Sequence, residues 1–338
     1  MRLLALALIG WTAGAQSWMM QSSGSTASLR GVHAVDARVV WASGTGGTWL
    51  RTLDGGATWR GGTVQGAAKL DFRGVHAIDA STACLMSVGT DGNSRICRTT
   101  DGGEHWELRL TAPSPKGFFD GIAFWNRRNG ILVGDPVDGR FEVFTTADGG
   151  ATWTARTGPA AGPEEGIFAA SNSALVVQDK SEAWFGTGGP GGARVFHSTD
   201  GGATWTVAAT PIRSDGASSG IFSLMFGGGV HGVAVGGDYA KPAEALHNAA
   251  LTPDGGRTWE AVASGPSGFR SAVAWLARRK MWVATGTSGS DVSTDGGRTW
   301  RTFDTGDFNA MSFVSGQAGW AVGPKGRIAK WSAPAGPR

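Results

Sequence analysis

Read for polarity alone, the chain from position 17 onward is a series of short segments in which apolar and polar or small residues alternate with period two. That alternation gives an extended strand one face for a core and another for a different neighbour. One stretch shows the unit. Phe72–Ile78, Ala83–Val88 and Arg95–Thr99 predict three strands and Trp106 opens a fourth, with Gly and Asp at the breaks. First strands of this kind recur at Leu29, Phe72, Phe119, Phe168, Phe222, Phe269 and Phe308. Seven units predict seven small antiparallel sheets.

Six units share an eight-residue corner ahead of the fourth strand: Thr52–Trp59, Thr99–Trp106, Thr146–Trp153, Ser198–Trp205, Thr252–Trp259 and Ser293–Trp300, each with Asp-Gly-Gly at its centre. Asp bonds its own downstream backbone and Gly takes positive φ without penalty, so the triplet makes a tight turn. The Ser or Thr two places earlier can bond the same turn, and the Trp opens the next strand with a large apolar surface. From Asp54 through Asp101, Asp148, Asp200 and Asp254 to Asp295 the steps are 47, 47, 52, 54 and 41 residues. A four-stranded propeller blade needs roughly 40 to 50 residues, so each step is one blade. Six equivalent Asp residues spread round a ring cannot converge on one substrate, and they are read as structural rather than catalytic or metal-binding.

The corner, S/T-x-D-x-G-x-T-W, resembles the Asp-box (BNR) repeat of sialidases, sortilin-type receptors, some endoglucanases and the photosystem II assembly and stability factors. Length, number of corners and a single compact ring are most similar to the photosystem II stability factor family and its relatives in non-photosynthetic bacteria. That resemblance covers almost the whole chain after its N-terminal segment. It implies a non-catalytic propeller whose partner is a protein, one being assembled at a membrane, met in those relatives through an arginine-rich patch. That patch has no residue-by-residue match here.

The seventh unit has no corner. Phe308–Phe313, Gly319–Val322 and Arg327–Trp331 give three strands, and Ser17–Gln21 looks like an isolated fourth, its Trp18 standing where the corners put their Trp. It is expected to complete the last blade and close the ring, leaving no unpaired sheet edge where the two ends meet. The expected fold class is all-β, a seven-bladed β-propeller of four-stranded antiparallel blades, with residues 16–338 forming one monomeric domain.

Propeller topology puts the corners on one face. The turns between second and third strands, and the links between blades, lie on the other. On that corner-free side, blade three is expected to carry Gly134–Arg140, blade four Gln178–Gly192 and blade five Gly236–Asn248, with a long link at residues 157–166 into blade four. Elaborated loops on a rigid scaffold are where binding residues usually sit. The residues after the first-strand anchors, Arg30, Arg73, Asp120, Ala169, Ser223, Arg270 and Asn309, are expected at the channel mouth on this face. Three arginines there could grip a carboxylate or phosphate, or pair with Asp120, Glu164 and Glu165. Asp135, Arg140, Lys180, Trp184, Asp238 and Tyr239 complete the expected partner-binding set.

Composition narrows the classes. A formal charge of +3, with no basic run, argues against a nucleic-acid partner. An oligosaccharide is the alternative ligand. A glycoside hydrolase would draw on Asp120, Glu164, Glu165, Asp238 and Tyr239, with Asp135, Asp138, Asp179 and Glu182 also over this face. Sialidases use an arginine triad and a Tyr nucleophile. Tyr239 is the only tyrosine here, no Arg-Ile-Pro segment opens the first blade, and seven units do not fit that family's six. No dinucleotide fingerprint or haem motif is present, so no cofactor is expected. Arg2, the apolar stretch Leu3–Trp11 and the small residues Ala13–Ala15 predict a signal peptide cleaved after Ala15, hence a periplasmic or extracellular protein. Cys84 and Cys97 are the only cysteines. They form either a cross-strand disulfide or two buried thiols, and strand register decides which.

Overall fold

The computed structural model describes residues 16–314 and 318–332. The signal peptide expected over residues 1–15 lies outside them. The chain folds as seven four-stranded antiparallel sheets arranged as a seven-bladed propeller. Helix among the described residues amounts to a single 3₁₀ turn at Ala277–Arg279. In blade two the strands are Asp71–Ala77, Ala83–Val88, Arg95–Thr99 and Glu107–Thr111, within a residue of the alternation that predicted them. Ser17–Gln21 pairs antiparallel with Ile328–Ser332, placing Trp18 opposite Trp331, so the N-terminal strand completes blade seven as expected.

The core is a set of interblade layers. Trp41 and Trp49 of blade one pack with Phe72, Val75 and Leu85 of blade two, and Met86 and Ile96 of blade two pack with Phe119, Leu132 and Phe144 of blade three. Each sheet is therefore buried on both faces, and its alternation sorts residues between two different neighbours. This settles the cysteines. Cys84 pairs with Arg98 and Cys97 with Leu85, an offset of one residue, so the two thiols point to opposite faces of the sheet. Cys84 packs towards blade three and Cys97 towards blade one, both as free thiols pushed up, to about 12 and about 11, by burial. The disulfide reading is corrected accordingly.

The corners are held by the bonds their chemistry predicts. In the first, Thr52 Oγ1 donates to Asp54 Oδ1 (2.7 Å) and accepts from the Gly56 amide (2.9 Å). Thr58 donates its amide to Asp54 Oδ1 (2.9 Å) and its hydroxyl to Oδ2 (2.6 Å). These donors, the Thr58 hydroxyl foremost, hold the Asp54 carboxyl down to about 2. The same arrangement recurs at Asp148, Asp200, Asp254 and Asp295, and at Asp101 with His105 in the place of the Thr. The corner amides Gly55, Gly102, Gly149 and Gly201 bond the turns between first and second strands, at Arg38, Ser81, Arg128 and Ser181, which fixes the corners on one face.

Blade four departs from expectation. Its first strand is Leu175–Gln178, not a strand from Phe168. Residues 169–174 read Ala-Ala-Ser-Asn-Ser-Ala, poor in the β-branched and aromatic residues that fit a pleated surface, and Asn172 sits at φ 62°. This strap enters the central channel. Asn172 Oδ1 accepts from the Ile122 amide of blade three, Ser173 Oγ donates to Ser223 Oγ of blade five, and Ser171 Oγ donates to the Ser271 carbonyl of blade six. The later segments of the blade shift with it. Asp179–Ser181 becomes the first turn on the corner face, Glu182–Gly186 the second strand, and the corner-free loop shrinks to residues 187–193. In blade three, Gly134–Arg140 is mostly strand, Gly130–Val137 and Arg140–Thr146, joined by Asp138 and Gly139 at φ 51° and 80°, a type I′ hairpin.

Two substitutions test this packing. The two glycines of the fourth corner both have positive φ, but a Cβ on Gly201 meets nothing within 4 Å, whereas one on Gly202 meets Ile131 Cδ1 of the preceding blade at 2.9 Å. Gly201→Ala is expected to cost about 1 kcal/mol and Gly202→Ala about 3 kcal/mol in denaturant unfolding, since only the second adds overpacking to backbone strain. Trp18 is buried against Phe308, Phe313 and Trp331. Trp18→Ala is expected to lower unfolding free energy by about 3–5 kcal/mol; a loss below about 1 kcal/mol would mean that ring closure does not depend on it.

Candidate functional site

The opening of the first strands decides what faces the channel. In blades one, two, three and five the pairing with the second strand slips by one residue there, at Leu29/Gly31, Phe72/Gly74, Phe119/Gly121 and Ile221/Ser223. Each slip is a β-bulge, and a bulge re-aims the skipped side chain. The skipped residues are Arg30, Arg73, Asp120 and Phe222. Sequence reasoning took the position correctly in blades one to three and missed it by one in blades five and six. The amides of Leu29, Ile221, Arg270 and Phe308 each bond the end of the preceding blade's second strand, at Gly323, Thr187, Gly236 and Gly286. Arg270 thus stands where other blades put a buried apolar residue, and Phe222 and Ser271 take the channel-facing positions expected of Ser223 and Arg270.

Arg270 is fully buried. Its Nε and Nη2 reach Asp291 Oδ2 at 2.6 and 2.5 Å, and Phe269, Ser267 and Ser288 take its remaining protons. It is a structural ion pair rather than a mouth cation, and Ser223 is buried beneath the strap. Trp184 is buried in blade four's second strand, stacked on His197, and donates to the Gly255 carbonyl. Lys180 lies in the corner-face turn, and Asp179 and Glu182 line a separate cavity on that face between blades four and five. Arg270, Ser223, Trp184, Lys180, Asp179 and Glu182 thus lie away from the expected site. Arg140 stays on the corner-free face at the blade-three hairpin, donating to the Gly158 carbonyl.

What remains is a cavity of about 520 Å³ at the mouth, lined by Arg30, Arg73, Asn309 and Ser271 on one side and Phe168, Phe222, Phe269 and Tyr239 on the other. The aromatic wall is preassembled. Phe168 and Phe222 stack at 4.0 Å, Phe269 meets Phe222 edge-on, and Tyr239, half exposed, leans on both stacked rings. Asn309 donates to the Leu29 carbonyl (2.8 Å) and is thereby fixed. Arg73 Nε bonds Asp71 Oδ2 at 2.7 Å. Burial and then the neighbouring Arg73 work against the charge of Arg30, with Asp71 and Asp307 opposing them, and its Nε has no hydrogen-bond partner.

A second cavity, about 590 Å³, shares Phe118, Asp135, Ile167 and Phe168 with the first, so one groove runs from the mouth outward over blades three and four. Asp135 sits at the junction and accepts the Ile167 amide at 2.8 Å. Its carboxyl is pushed up to about 6 by burial. Asp120, beneath, is fully buried with neither oxygen in a well-formed hydrogen bond; burial, then the Asp135 charge, raise it well above the carboxylate range. Of the carboxylates proposed for a hydrolase, Glu164 lines the outer groove, while the proposed Tyr239 lines the mouth. Glu165 is buried and ion-paired with Arg194, with Thr187 donating to it at 2.6 Å, and Asp238 caps the Ala240 amide. Sequence reasoning missed Phe118, Ile167 and Phe222; the Phe118–Phe119 doublet was the one available signal.

Asp135 and Asp120 have folded-state pKa values above their unfolded ones, so their contribution to stability is complete below pH ~4 and is lost as pH rises through the folded values. Asp135→Asn, which keeps the acceptor for Ile167, should raise the melting temperature at pH 8 more than at pH 4.5. A rise from the ordinary carboxylate value to about 6 corresponds to about 2–3 kcal/mol at most. Equal shifts at the two pH values would contradict this.

No family model and no curated protein matches the chain. Among solved structures, YCF48 bound to a D1 peptide superposes with TM-score 0.68 at 18% identity, over 95% of this chain and 100% of that one. YCF48 from Cyanidioschyzon merolae gives 0.66 at 19%, over 93% and 98%. A streptogramin B lyase gives 0.66 at 14%, over 94% and 98%. At these identities the likeness is one of fold, the seven-bladed propeller.

Proposed function

We propose that the protein is an exported, non-catalytic propeller that holds a segment of a partner protein on its corner-free face, in the manner of an assembly factor, with a client at or near a membrane. The observation that carries this is the continuous groove, whose aromatic wall and junction carboxylate are held in place before any ligand arrives. Preorganisation of this kind lowers the ordering cost of binding an extended chain. A similar propeller, YCF48, has been solved with a D1 peptide bound. A hydrolase draws less support, because Glu165 and Asp238 are tied into structural contacts and Asp120 lies outside the cavity lining. Export rests on Arg2, Leu3–Trp11 and Ala13–Ala15.

Tyr239 and Val207 are similarly exposed, at 53% and 50%, the first at the mouth and the second in the cavity on the corner face. Immobilised protein should retain a polypeptide from the exported fraction of its host. Tyr239→Ser should reduce that retention roughly tenfold, as expected for loss of an aromatic anchor, and Val207→Ser should leave it unchanged. Retention lost with Val207→Ser and kept with Tyr239→Ser would move the site to the other face.

A further inference from the structure

The groove carries arginines at its inner end and carboxylates at its outer end. At the inner end Arg30 and Arg73 face the same cavity and disfavour one another, with Asp71 engaging Arg73 and Arg30 Nε left without an acceptor. Over the outer end the balance is reversed. Asp120, Asp135, Glu142 and Glu164 have no ion-pair partner among the described residues, and Glu165 uses Arg194 for itself. Asp120 and Glu142 Oε2 are buried without hydrogen bonds behind Asp135. Between the two ends the floor is apolar: Phe118, Ile167 and Phe168 belong to both cavities.

Each end gathers groups of like sign: Arg30 and Arg73 at one, Asp135 and Glu164 at the other, with the Glu142 and Asp120 carboxyls nearby raised by burial and then by Asp135. A ligand that brings the opposite charge to both ends complements both, which a uniformly acidic or uniformly basic chain cannot do. We propose that the groove reads an extended peptide of mixed charge, with an acidic group at Arg30 and Arg73, an apolar side chain over Phe118 and Phe168, and a basic side chain against Asp135. This rests on the protein-binding reading above and adds to it the basic subsite. An extended strand sends alternate side chains to one side, so three such residues separated by single spacers would all face the floor.

Asp135 is the residue to test. It offers one oxygen to the Ile167 amide, and no hydrogen bond engages the other among the described residues. The groups facing it are Asp120 and Glu142 from its own blade, Arg73 from blade two, Lys116 from the link into blade three and Glu164 from the link into blade four. Protonation of Asp135 near pH 6 would remove the subsite's charge.

The probes are fluorescein-labelled peptides with Glu, Phe and Lys separated by one, two or three glycines, made in both chain directions, and copies with norleucine for Lys. Binding is read by anisotropy at pH 7.5. One direction and spacing should bind, and its norleucine copy should bind about tenfold more weakly, the effect of one close charge pair. Asp135→Asn should abolish that discrimination while changing affinity for the norleucine copy less than about twofold. On the native protein the discrimination should fade below pH 6. Peptides that bind equally with Lys or norleucine, or discrimination that survives Asp135→Asn, would overturn the basic subsite and leave a peptide-binding face standing. Failure of every peptide to bind would remove both this subsite and the peptide reading beneath it.

Discussion

The ring depends on how closely one blade's corner approaches the blade before it. The second glycine of each corner lies against that neighbour: Gly103 against the Trp49 ring, Gly150 against Cys84, Gly202 against Ile131, Gly256 against Trp184 and Gly297 against Leu251. A Cβ at Gly103 would stand 2.5 Å from the Trp49 ring, on a backbone at φ 92°. The glycine is therefore required twice, for its dihedral and for its missing atom. The corner's Asp and Ser or Thr hold the turn in shape so that the glycine can make this approach, which makes the motif a spacer between sheets as much as a turn within one. At the seam where the chain ends meet, Gly56 approaches Gln21 of the N-terminal strand, so the closing strand takes the place that a preceding blade fills elsewhere.

Much of this could be read from the chain because its constraints are local and repeated. Corner spacing set the blade length, the recurring first-strand anchors set the blade count, and alternation placed the strands of blade two within a residue. Trp18 identified the closing strand by its likeness to the corner tryptophans. The errors came where a non-local contact outweighs a local pattern. Phe168 resembles the other first-strand anchors, yet residues 169–174 leave the sheet because their hydroxyls and the Asn172 amide find partners across the channel in blades three, five and six. Nothing in Ala-Ala-Ser-Asn-Ser-Ala names those partners. Lys180 and Trp184 were then carried to the wrong face by that one shift.

Arg270 shows a subtler limit. Aligning Phe222 and Phe269 with Phe72 and Phe119 is reasonable by side-chain type, but hydrogen-bond register puts Ile221 and Arg270 in the anchor position. A one-residue difference in a strand exchanges its two faces. The consequence is a guanidinium in a core position, sustained by Asp291 with Ser267 and Ser288 around it. Such a pair is costly to break on either side, because the survivor would be left charged and buried. Cys84 and Cys97 fall to the same rule, two residues on neighbouring strands separated by a single step of register.

The channel-facing position is where the repeat stops constraining the sequence. Immediately before it stand the apolar Leu29, Phe72, Phe119, Ile221 and Phe308, each filling an interblade layer, and in blade six the ion-paired Arg270. At the position itself stand Arg30, Arg73, Asp120, Phe222, Ser271 and Asn309, no two neighbours alike beyond the first pair. In an array whose stability is approximately a sum of neighbour-to-neighbour contacts, a residue aimed at the axis contributes little to any one interface. It can therefore hold a like-charge neighbour or an unbonded carboxyl without unfolding the blade that carries it. Asp120 and Asp135 are tolerated on those terms: the blade-three and blade-four layers supply the stability, while the Asp120 carboxyl stays buried and the Asp135 carboxyl lines the groove. A scaffold that isolates its axial positions in this way can change the side chains at six places while the layers between its blades stay as they are.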